Sequence, residues 1–67
     1  MTNLKPFHIT NRQSGADLGT YPARDADEAF DLMHKDAGYK DADHAAEVLG
    51  TTAGRLRSQV IIARLGA

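Results

Sequence analysis

The chain has no cysteine and no tryptophan among its 67 residues, and only two prolines, Pro6 and Pro22. Without cysteine there is neither a disulfide framework nor a thiolate metal site, a composition that fits a reducing compartment. Long apolar runs are also missing. The longest, Val60-Ile61-Ile62-Ala63, falls far short of the ~20 residues that a membrane-spanning helix needs. Lys5 is followed by no apolar stretch of the kind a signal peptide carries, so the expectation is a cytoplasmic protein. Large apolar side chains are scarce too, because alanine supplies much of the 42% hydrophobic fraction. A single domain spanning 1–67 with so thin a core should fold with roughly 3–5 kcal/mol. A homodimer through a strand edge or an apolar face would add the burial that the core lacks.

What charge there is lies unevenly. Residues 1–24 carry Lys5, Arg12 and Arg24 against Asp17, and residues 50–67 carry Arg55, Arg57 and Arg64 with no acid. Between them, residues 25–49 hold Asp25, Asp27, Glu28, Asp31, Asp36, Asp41, Asp43 and Glu47 against Lys35 and Lys40. An acidic middle flanked by basic ends serves helix capping and intramolecular complementarity, or makes a bipolar surface that steers a partner.

Residues 6–11 alternate apolar and polar, with Phe7 and Ile9 on one face of a strand and His8 and Thr10 on the other. Gln13-Ser14-Gly15 reads as a turn and residues 17–23 as a second strand, giving a hairpin. Leu18 and Tyr21 have opposite parity, so either a bulge near Gly19 realigns them or Tyr21 faces solvent. Pro22 cannot donate to a ladder and marks an edge.

Asp25, with Glu28 three residues later, predicts the start of a helix. Ala26, Ala29, Phe30, Met33 and Ala37 form its apolar stripe, and Gly38 ends it. A second helix is expected from the N-cap Asp41 through Ala42, Ala45, Ala46 and Leu49 to Gly50. Residues 55–65 fit either of two forms. As a strand, Leu56, Val60 and Ile62 share a face and the β-branched cluster is well placed. As a helix, Leu56, Val60 and Ala63 align but Ile61, Ile62 and Leu65 scatter, so the strand is the tidier arrangement.

Two resemblances follow from these residues. Ile9-Thr10-Asn11, Ser14-Gly15, Asp17-Leu18-Gly19-Thr20-Tyr21, residues 29–33 and Asp36-Ala37-Gly38-Tyr39 resemble a family of small uncharacterised bacterial and mobile-element proteins. That family has an "sGxxLGxY" hairpin and a "DAGY" helix end, and the resemblance implies a β-β-α-α-β layout. More locally, Ala45-Ala46-Glu47-Val48-Leu49-Gly50, Thr52, Leu56 and Val60 are similar to the helix-turn-helix of factor-for-inversion-type DNA-binding proteins. This second resemblance implies a recognition helix charged by Arg55, Arg57 and Arg64. Thr51 and Gly54 depart from that pattern, and the preceding helix is acidic where it should cross phosphates.

Catalytic chemistry finds little footing. His8, His34 and His44 stand at no shared metal-ligand spacing, and Asp31 with His34 reads as a surface acid–histidine pair. Ser14 and Ser58 have no evident base, and no glycine-rich phosphate loop is present. Tyr21 and His8 could share an open sheet face with Lys5, Arg12 and Arg57 as a base-stacking platform, or Tyr21 could cap the core edge.

The expectation is an α+β domain in which a three-stranded antiparallel sheet carries two helices on one face. Its core should be Phe7, Ile9, Leu18, Phe30, Met33, Ala45, Leu49, Leu56, Val60 and Ile62. Its expected function is that of a non-enzymatic protein-interaction module needing no cofactor and no membrane, with Asp27, Asp31, Asp36 and Asp43 making the acidic contact. The alternative is a helix-turn-helix DNA-binding protein using Arg55, Arg57 and Arg64.

Overall fold

The computed structural model describes residues 3–66. Along them run β1 (Lys5–Asn11), β2 (Asp17–Ala23), α1 (Ala26–Asp36), α2 (Ala42–Leu49), α3 (Ala53–Ser58) and β3 (Val60–Arg64). The strands form one antiparallel sheet in the order β2-β1-β3, so the fold is α+β. The helices pack over the face that carries Phe7, Ile9 and Val60, and these three join Ala23, Ala29, Phe30 and Ala42 in the core.

The hairpin follows from its turn chemistry. The Asn11 side-chain oxygen accepts from the backbone N–H groups of Gln13 and Ser14, each at 2.9 Å, which folds the chain back. Beyond the turn Ile9 opposes Gly19 but Thr10 opposes Asp17, leaving Leu18 as the extra residue of a bulge. The bulge resolves the parity conflict. Tyr21 opposes Phe7, and both Leu18 and Tyr21 pack against the core. The tyrosine ring then lies over Gly19, where an added Cβ would meet it at 3.0 Å.

Both long helices begin and end as their sequences direct. Asp25 Oδ1 accepts from Glu28 N–H at 2.8 Å, and Asp41 Oδ1 from His44 N–H at 2.8 Å. The Glu28 carboxylate reaches one residue past the cap, accepting from the Arg24 backbone N–H and from its guanidinium, each at 2.9 Å. At the other ends, Gly38 and Gly50 take positive φ. Tyr39 N–H then donates to His34 O, and Thr51 N–H to Ala46 O, both at 2.9 Å, as in a Schellman motif.

Three expectations need correction. Residues 55–65 are neither one strand nor one helix. Thr52 Oγ1 accepts from Arg55 N–H at 3.2 Å and starts the six-residue α3, and β3 begins only at Val60. The chain therefore has three helices where two were expected: α1 and α3 contact the sheet, α2 packs against α1 and α3, and Leu56 reaches the core from α3 rather than from a strand. Leu49 is not core: it is 56% exposed. The buried face of α2 is Ala42, Ala45 and Ala46, and Leu49, at the end of this eight-residue helix, overhangs the edge. Finally, His34 is buried, not on the surface beside Asp31. Its Nδ1 lies 2.8 Å from the Phe30 carbonyl oxygen, a pairing that satisfies the buried imidazole within its own helix.

Candidate functional site

Three of the four acids singled out in the sequence converge. Asp27 and Asp31 stand one helical turn apart on α1, and Asp43 lies in the first turn of α2. All three line a cleft of about 270 Å³ between the helices, together with Phe30, Ala42, Gly54 and Arg57. Asp31 has a structural duty as well, since its Oδ1 accepts from the backbone N–H of Ala42 at 3.1 Å and ties the start of α2 to α1. Asp27 and Asp43 take no side-chain hydrogen bond from any described residue, so both carboxylates are left to solvent or a ligand. The floor is apolar, formed by Phe30 and Ala42.

Asp36 is set apart. It lies at the end of α1 beside a second, more apolar groove of about 370 Å³ lined by Leu18, Tyr21, Met33, Tyr39 and Leu49. Its carboxylate accepts from the Tyr21 hydroxyl at 3.3 Å, and that hydroxyl also lies 3.2 Å from the Leu18 carbonyl. Burial pushes the Tyr21 hydroxyl above its ordinary pKa, and the Asp36 and Asp17 charges push in the same direction.

The arginines are divided among elements. Arg55 and Arg57 lie on α3, whereas Arg64 lies on β3. The Arg57 guanidinium sits 5.9 Å from the centre of the Phe30 ring, on the wall of the acidic cleft. Between α2 and α3, Gly50 takes left-handed backbone and Thr52 caps the following helix.

The base-stacking platform does not form. Tyr21 packs on the core side of the sheet, while His8 on the other face pairs its Nε2 with Asp17 Oδ1 at 3.0 Å. The Asp17 carboxyl is held below its ordinary pKa, chiefly by the Gly19 backbone N–H and then by His8. Among the described residues no group of three or more His, Asp or Glu side chains is placed to hold a metal ion. None of the described helices is long and apolar enough to cross a membrane.

The sequence reading missed Phe30 and Arg57 as parts of this site. Phe30 was legible only as core, and the cation–π contact joins residues far apart in the chain. No protein-family model, no curated protein and no solved structure matches this chain.

Proposed function

We propose that this chain is a cytoplasmic, non-enzymatic protein-interaction module that grips a basic segment of a partner protein in the cleft between its three helices. It would act as small phage- or plasmid-borne regulators and inhibitors do, an analogy of size and architecture. The observation that carries the reading is the convergence of Asp27, Asp31 and Asp43 on one cleft with an apolar floor. A lysine or arginine stem lies well on Phe30 while its charge meets the carboxylates. Arg57 already occupies one wall, so an incoming cation would compete with it for the ring. Asp36, the last residue of α1, lies beside the other groove and outside this grip.

The test is charge reversal at the two acids that hold no structural bond. Asp27→Lys with Asp43→Lys should weaken binding to a lysine- and arginine-rich peptide at least tenfold in calorimetric titration, about 1.4 kcal/mol or more. The circular dichroism spectrum should be unchanged. Equal affinity of the variant and the parent protein would refute the reading.

A second reading, DNA binding, is favoured by the α2–α3 geometry alone. Against it stand the shortness of α3, roughly 9 Å of helix, and the placement of Arg57 among acids. Replacing Arg55, Arg57 and Arg64 by alanine should abolish salt-dependent DNA retention if this reading holds. Absence of retention by the parent protein at low salt would dismiss it.

A further inference from the structure

The two edges of the sheet are not equivalent. In an antiparallel ladder, alternate residues of a strand point both backbone groups toward one neighbour. Arg12 N–H donates to Gln59 O and Leu65 N–H to Pro6 O, each at 2.8 Å. Ile61 and Ala63 share the parity of those two residues and so also turn toward β1, where they oppose Thr10 and His8. The N–H and C=O groups of Val60, Ile62 and Arg64 therefore point away from the sheet, and no described strand lies beyond them.

On the opposite edge the same logic turns Thr20 and Pro22 outward, because Phe7 and Tyr21 face each other across the ladder. Proline has no N–H to offer there, and the bulge at Leu18 interrupts the rest of that strand. One edge is blocked. The other is open, β-branched, and free of proline, lysine and acid.

We propose that two copies of this chain pair through the outer edge of β3, antiparallel about a two-fold axis at Ile62, forming one six-stranded sheet.

The register is self-complementary. Ile62 faces its own copy and exchanges both backbone bonds with it, while Val60 faces Arg64 of the other copy, using the outward groups of each. On the helix-free face, Ile61 then packs against Ala63 of the second copy at the closely spaced, non-hydrogen-bonded position. That face is already apolar where it adjoins the edge: Ile61 and Leu65 are 46% and 43% exposed. Charge permits the contact. The two Arg64 side chains are offset by four residues along the strands, roughly 13 Å, which is beyond the Debye length of ~8–10 Å in ordinary salt. A five-residue edge with its flanking side chains covers less than the ~800 Å² per partner of standard stable complexes, so association belongs at micromolar rather than nanomolar concentration. The surface is separate from the acidic cleft.

Sedimentation equilibrium on the full chain, from about 10 µM to about 1 mM, tests the pairing. The weight-average molar mass should rise with concentration toward that of two chains, following a monomer–dimer isotherm. Ile61→Lys, at an exposed position that leaves the core intact, should hold the chain monomeric. Hydrogen exchange on the parent protein gives a second readout: the Ile62 and Arg64 amides, unpaired within one copy, should gain at least tenfold protection as concentration rises. A chain that stays monomeric throughout overturns the proposal, as does a dimer in which the Ile62 amide exchanges freely. The Asp27→Lys, Asp43→Lys variant should dimerise like the parent, which separates this outcome from that of the acidic cleft.

Discussion

At the scale of single residues, the tightest constraint is at Gly19. Its φ is +114°, and a methyl group there would meet the Tyr21 ring at 3.0 Å. Gly50 also has positive φ, +71°, but opens onto free space. Gly50→Ala should therefore cost only the backbone penalty, about 1 kcal/mol. Gly19→Ala adds displacement of Tyr21 to a backbone angle further outside the left-handed well, and should cost about 2–3 kcal/mol. Urea unfolding of the two variants side by side checks the order, and equal losses would mean that the tyrosine moves freely. Gly19 was legible as a bulge candidate because Leu18 and Tyr21 disagree in parity. That the aromatic ring would close over it was not legible, since the contact depends on how far the bulge turns the strand.

At the scale of elements, the passage from α3 to β3 is the most informative. Thr52 starts α3, and Arg12 captures its end: Arg12 Nε donates to Ser58 O at 3.0 Å and Arg12 N–H to Gln59 O at 2.8 Å. A hairpin residue thus binds the last carbonyls of a helix more than forty positions away and delivers the chain to β1 at Val60. Thr52→Ala should remove a cap worth about 1 kcal/mol. Because α3 contributes little burial of its own, the loss should appear as faster hydrogen exchange in residues 55–59 before it appears in global unfolding. Uniform loss of protection across the sheet would show instead that α3 and the core unfold as one unit. The β-branched run Val60-Ile61-Ile62 predicted a strand correctly. It could not say where that strand begins, because Arg55 to Ser58 adjoin it directly and the division is made by the Thr52 cap at one end and the bonds to Arg12 at the other.

At the scale of the whole molecule, the acidic middle shapes the response to pH. The Glu28 carboxyl is held below its ordinary value, first by the Arg24 backbone N–H and then by its guanidinium; Asp17 is lowered in the same direction. A carboxylate with a lowered folded-state pKa stabilises the fold above its unfolded-state pKa, and that contribution is lost as pH falls through the folded-state value. Stability should accordingly be level from neutral pH down to about 5 and decline below it. Glu28→Gln should lower stability at neutral pH and flatten the decline, which thermal melts at a series of pH values would register. A decline of undiminished slope in the variant would assign the acid sensitivity to other carboxylates.

The local sequence determined the hairpin, the caps at Asp25 and Asp41, the stops at Gly38 and Gly50, and the acidic character of α1 and α2. Each is a matter of a few adjacent residues whose backbone and side-chain groups satisfy one another regardless of the rest of the chain. Only the tertiary structure decided the division of residues 53–64, the burial of His34, the exposure of Leu49 and the meeting of Asp43 with Asp27 across the helices. These depend on which surface of each helix finds a partner. On α2 the stripe of Ala42, Ala45, Ala46 and Leu49 was legible, but Leu49, the last residue of the helix, lies beyond the surface that covers the alanines. Packing against distant residues, not periodicity along the chain, sets where such a stripe ends.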